Sequence, residues 1–174
     1  MRRTLSLITL SATILVLAAG CAVQSVAVSR PASSPIKSVR KIALMPGGGV
    51  LAEAVGIQLM ASGFDIFDMT SQTATSGRVN DTEIEVTSPS NLKSLAAEYG
   101  VDGVLIVKTI SGYDDKPNSA VARVLDTRTG SILAGVTWQN GKGGAKGSPA
   151  DSLMRADVQS AAKKIAEGIA SALR

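Results

Sequence analysis

The chain has 174 residues, 45% of them hydrophobic and only 3% aromatic, with a formal net charge of +4. That length suits one domain with a single core, the apolar fraction excludes a chain disordered by composition, and the scarcity of aromatics leaves the core to Val, Ile, Leu and Ala. There is no histidine and a single cysteine, so the commonest general base and metal ligand is missing and an intrachain disulfide is excluded.

Residues 1–20 read as an export signal. Arg2 and Arg3 supply the basic region, Leu5 to Leu17 the short apolar run, and Leu17-Ala18-Ala19-Gly20-Cys21 a lipobox. An export signal needs positive charge to orient it, a short apolar helix, and small residues where the peptidase binds. The apolar run is shorter than the roughly 20 residues needed to span a bilayer. Cleavage before Cys21 and acylation of its thiol then make the membrane the first partner, reached through lipid on Cys21. Ala22 rather than Asp follows the cysteine, which is compatible with the outer membrane and a domain facing the periplasm. Loss of the two leader arginines takes the net charge from +4 to +2. The remaining bases are scattered, so no nucleic-acid-binding stripe is present.

Residues 21–39 form the lipidated cysteine and a tether. Residues 22–38 are rich in Ser and Ala and hold Pro31 and Pro35. Such a flexible segment reaches at most roughly 60 Å when fully extended.

The globular domain is expected over 40–174. Lys41 to Pro46 reads as a buried strand ahead of Gly47-Gly48-Gly49, and Val50 to Ser62 as a helix stopped by Gly63. Phe64 to Met69 reads as a second strand. Thr70 to Thr87 leaves two alternatives open, a short helix or a strand at Glu83–Val86. Ser88-Pro89 opens a helix whose Leu92, Leu95, Ala96 and Tyr99 form one apolar stripe, closed by Gly100. Four consecutive apolar residues, Val104 to Val107, suit a central strand covered on both faces. Ser119–Asp126 and Ser131–Gln139 predict a hairpin around Asp126-Thr127-Arg128-Thr129-Gly130. Ser148-Pro149-Ala150-Asp151 is a capping box that opens a final helix to about Leu173. The order β-α-β-(α)-α-β-β-β-α predicts an α/β (α+β) domain, with a single mixed sheet of about five strands flanked by helices.

Four stretches occur together in this order: the Ile42-Ala43-Leu44-Met45-Pro46 strand, Gly63 to Asp68, Ala97 to Val107, and Ala122 to Gly130. In these the chain resembles the periplasmic domain shared by the curli-secretion-channel lipoproteins and the outer-membrane lipoprotein activators of peptidoglycan synthases, and more distantly the N-terminal domain of the Tol translocation protein. The resemblance spans roughly residues 40–173. It implies a non-catalytic, partner-binding lipoprotein at the outer membrane and carries over no catalytic residue. A curli-type pore needs two long strand hairpins per subunit, with strands of about 9–11 alternating residues. Thr70–Thr87 and Gly112–Ser119 are too short and too polar for that, and the tether is short beside those of the synthase activators.

The remaining motifs favour plain structural roles. Gly47-Gly48-Gly49 lacks the spacing of a nucleotide loop and reads as a tight strand-to-helix turn. Asp114 and Asp115 before Lys116-Pro117-Asn118 match no cation loop and read as a solvated turn. Without histidine, Ser-based catalysis needs a Ser-Lys pair, and Ser160-Ala161-Ala162-Lys163 has that spacing only on an amphipathic helix. No catalytic, cofactor-binding or metal-ligating residue is therefore nominated. Lys142 and Lys146, in the basic loop Gly141–Gly147, are the candidate partner-contact residues, and Trp138 shares a strand face with Ile132, Ala134 and Val136 that belongs in the core. The functional expectation is a membrane-anchored binding or assembly module of the envelope, engaging a protein partner or its own copies. A subunit or accessory of a secretion complex related to the curli channel is the alternative, and an envelope hydrolase a third reading.

Overall fold

The computed structural model describes residues 24–31, 38–69, 88–141 and 143–174. In chain order these form β1 (Ser25–Ser29), β2 (Lys41–Leu44), α1 (Gly49–Ala61), β3 (Asp65–Asp68), α2 (Pro89–Tyr99), β4 (Gly103–Ser111), β5 (Pro117–Asp126), β6 (Ile132–Gln139), α3 (Pro149–Met154) and α4 (Val158–Leu173). The strands make one mixed sheet in the order β1-β6-β5-β4-β2-β3. β2 pairs in parallel with β3 and β4, while β4, β5, β6 and β1 form an antiparallel run. The fold is thus the expected α/β class, with six strands where about five were expected.

The sheet is covered on both faces because its central strands are apolar on both. Along β4, Leu105 and Val107 point into one core with residues of α1 and α4. Val104 and Ile106 point into a second core with Leu92 of α2, Ala43 and Met45. Trp138 is fully buried in the larger core, as its alternation on β6 predicts. Ile132 departs from that pattern and is 42% exposed, because the ladder shifts register between Val124 and Leu125.

The motifs behind the family resemblance work as backbone fasteners, and they meet. The Asp102 carboxylate accepts from the amides of Arg40 and Lys41 at 2.9 and 3.0 Å. The buried Thr127 hydroxyl reaches the carbonyls of Val101 and Asp102 at 2.9 and 3.0 Å, so the hairpin turn is pinned to the strand start beside it. Asp126 accepts from the amides of Arg128 and Thr129, and Gly130 takes the positive φ of 73° that closes the turn. Gly100 likewise caps α2 in the left-handed conformation at φ 63°.

Two sequence expectations need correction. The 22–38 tether is not a continuous flexible linker, since Ser25–Ser29 pairs antiparallel with Gly135–Gln139 of β6 as the edge strand of the sheet. Val28 approaches α4 at Gly168, where even an added Cβ would lie 3.1 Å from Val28 Cγ2. The strand is only five residues long and exposed throughout, so it lacked the buried apolar run that marks the others. The single final helix is instead two. Arg155 adopts an extended conformation, and the Asp157 side chain caps a new start by accepting from the Ser160 amide at 2.8 Å. Thr70–Thr87, Cys21 and Lys142 lie outside the described residues.

Candidate functional site

A cavity of about 390 Å³ opens at one end of the sheet, lined among others by Tyr113, Asn118, Lys146, Asp151 and Arg155. Three elements build it. The β4–β5 turn contributes Gly112 to Lys116, the loop after β6 contributes Gly143 to Gly147, and α3 closes the side.

Asp151 is its centre. The Ser148 hydroxyl accepts from the Asp151 amide at 3.1 Å, half of a capping box. The carboxylate does not return to Ser148 as the other half requires. It turns instead to the Tyr113 hydroxyl at 2.7 Å and to the amides of Gly143 and Gly147 at 3.2 and 3.3 Å. The Tyr113 hydrogen bond, helped by the two amides and the Arg155 charge, holds the Asp151 carboxyl below its ordinary range against the opposing effect of desolvation.

Arg155 sits at the break between α3 and α4, where the extended backbone turns its side chain under the β4–β5 turn. Its guanidinium meets Asp114 Oδ2 at 3.1 Å, with the side chains 6% and 15% exposed. It also donates to Asn118 Oδ1 and to the carbonyls of Lys116 and Pro117. Lys116 answers in the other direction, its ammonium donating to the Ser152 and Arg155 carbonyls at 2.6 and 3.3 Å. Two cations stand over the Tyr113 ring, Arg155 at 5.4 Å and Lys146 at 5.9 Å from its centroid.

These contacts latch α3 to the β4–β5 turn and to the loop after β6. Asp151 is committed to three donors and Arg155 to four acceptors, and the Ser152 hydroxyl lies 3.5 Å from that of Tyr113. Ser160 and Lys163 are exposed on α4. Asp114 belongs to a buried ion pair rather than to a solvated turn, while Asp115 takes a left-handed φ of 59° at the tip. Of the two nominated lysines the structure describes Lys146, exposed and seated on Tyr113. Sequence reasoning missed Tyr113, Asp151 and Arg155 as a group, because the Tyr113–Asp151 and Asp114–Arg155 contacts that join α3 and its end to the β4–β5 turn span 38 and 41 residues and no local spacing announces them. Among the described residues no helix is long and apolar enough to cross a membrane.

No family model matches the chain, and no curated protein matches it. Solved structures share its chain path loosely. A single-substitution variant of PelC from Paraburkholderia phytofirmans, a dodecamer, is similar at a TM-score of 0.48 and 16% identity, over 85% of this chain and 99% of that one. Lipoprotein GNA1162 from Neisseria meningitidis gives a TM-score of 0.47 and 23% identity, over 65% of this chain and 87% of that one. The PelC dodecamer in a second crystal form gives 0.44 and 14%, over 82% and 98%.

Proposed function

We propose that this chain is an envelope lipoprotein, acylated on Cys21 and held at the outer membrane, whose periplasmic domain is a non-catalytic module that binds a protein partner or further copies of itself. The observation that carries the reading is the ordered leader of Arg2-Arg3, a short apolar run and Leu17-Ala18-Ala19-Gly20-Cys21. The self-contained hydrogen bonding of Asp151 and Arg155 supports a structural rather than a chemical use of the polar cluster. In this reading the exposed Lys146, seated on the Tyr113 ring, offers cationic contact to the partner, and Lys142 of the same loop is a second candidate.

Metabolic labelling with an alkyne fatty acid, followed by intact-mass measurement of the purified product, tests it. The expected product begins at Cys21, carries acyl chains, and fractionates with the outer membrane. Cys21→Ala should abolish both the label and the membrane association. A product that retains residues 1–20, or has no acyl mass, overturns the proposal. Crosslinking in intact cells then separates self-association from a distinct partner, and ring-shaped oligomers in detergent would favour the secretion-complex version suggested by the family resemblance.

A further inference from the structure

If Cys21 bears lipid, as proposed above, the described fold fixes which end of the domain meets the bilayer. Gln24 is already part of the domain, its side-chain carbonyl accepting from the Trp138 indole N–H at 3.2 Å. Three residue steps separate it from Cys21, a span of at most about 11 Å. The lipidated residue is therefore held close to one end of the sheet.

The ladder registers identify that end. Ser25 pairs with Gln139, Gln139 with Ser119, and Ser119 with Ile110. Beyond this row project the β4–β5 turn and the loop after β6, with α3 latched between them by Asp151 and Lys116. Apolar side chains stay exposed here. Leu153 is 85% exposed, and Ile110, Tyr113 and Met154 also face solvent. Lys146 stands beside them on the Tyr113 ring. Exposed aliphatic side chains with an aromatic ring and a lysine are the composition of a surface seated in lipid headgroups. The opposite end presents the Asp126–Gly130 turn, roughly 23 Å farther along β5 at the usual strand rise.

We infer that Ile110, Tyr113, Lys146, Leu153 and Met154 form a membrane-seating surface, which lies against the headgroup layer of the bilayer that holds Cys21. The domain then does not swing on a long tether. It stands on the membrane with the sheet end of β1, β6 and β5 downward and the Asp126–Gly130 turn directed into the periplasm, where a partner reaches it. The occupant is a lipid surface because the chain between Cys21 and Gln24 is too short to leave room for a protein between this end and the bilayer.

The test uses the acylated full mature chain in vesicles of phosphatidylethanolamine and phosphatidylglycerol at three to one. Acylation blocks the single cysteine, so Leu153→Cys and Arg128→Cys each accept one environment-sensitive fluorophore. The expected result is quenching of the probe at 153 by headgroup-labelled lipid, at least threefold stronger than at 128. A triple change, Ile110→Ser, Leu153→Ser and Met154→Ser, should weaken the quenching of a probe at Ala145→Cys relative to the same probe on the otherwise unchanged chain, with the acyl mass unaltered; undiminished quenching there overturns the seating surface. Equal quenching at 153 and 128, or stronger quenching at 128, in a chain whose intact mass shows the acyl groups, overturns this orientation alone. A chain that lacks acyl mass overturns the lipoprotein reading and the orientation with it.

Discussion

Replacing Arg155 with Met should expose how much the polar latch contributes. Met keeps an apolar stem as far as the position of Nε but removes the guanidinium and with it every side-chain donor. The loss includes the 3.1 Å pair with Asp114 and the bonds to Asn118, Lys116 and Pro117. Breaking one side of a buried ion pair costs about 3–5 kcal/mol when the remaining charge is stranded. Asp114 retains 15% exposure, so water takes over part of its solvation, and the expected loss is about 2–3 kcal/mol. In urea unfolding with a slope of about 2 kcal/mol/M, the midpoint should fall by about 1–1.5 M. Asp114→Asn combined with Arg155→Met should recover about 1 kcal/mol or more relative to the sum of the two single changes, because neither charge is then left alone. A single-variant cost below about 0.5 kcal/mol, or strict additivity in the double variant, would refute the view that Arg155 holds the β4–β5 turn against α3.

Other consequences follow from neighbouring contacts. Gly168→Val places branched carbon where a bare Cβ would already lie 3.0 Å from Val136 Cγ2 and 3.1 Å from Val28 Cγ2; it should cost about 1–3 kcal/mol and strip amide-exchange protection from Ser25–Ser29 before other strands. Thr127→Val removes the buried hydroxyl shared between the Val101 and Asp102 carbonyls and should cost about 1–3 kcal/mol, read from a lower urea midpoint, because the Val101 carbonyl loses that donor while the Asp102 carbonyl keeps the Thr127 amide. Asp151→Asn should destabilise at neutral pH. Since the native Asp151 pKa is lowered, mainly by Tyr113, its stabilisation is fully present above the unfolded value of about 3.9 and is lost as pH falls through the native value. The stability gap between the parent and Asp151→Asn should therefore close with acidification below about pH 4, and a gap that widens there would contradict the assignment.

Local chemistry made most of the fold legible. Val104 to Val107 announced a strand buried on both faces, and Leu105 and Ile106 enter opposite cores. Gly100 and Gly130 marked a helix end and a turn because their positive φ is cheap only for glycine, and both adopt it. β1 failed the same test for a physical reason. An edge strand of five exposed residues is held by its ladder to β6 and by light contact with α4, so neither burial nor length marks it against a Ser- and Ala-rich background. The final helix hid its break for a different reason. The apolar spacing of Ala161, Ile165 and Ile169 is sound on α4, but the turn at Arg155 is set by partners from the β4–β5 turn, far away in sequence.

The polar cluster shows where single-sequence reasoning ends. Ser148-Pro149-Ala150-Asp151 satisfies the local rule for a helix start, and the Ser148 hydroxyl obeys it. The same rule assigns the Asp151 carboxylate to the helix as well, yet a phenol and two loop amides compete for it and win. Local rules count donors available along the chain; the fold supplies others across it. The missing tether length follows the same logic. Composition alone makes residues 22–38 a tether, but Gln24 bonds Trp138 and Ser25–Ser29 joins the sheet, so residues 24–29 belong to the domain. If Cys21 is acylated as proposed, only three residue steps separate the lipid from Gln24, which turns a question of how far the domain extends into one of which way up it stands.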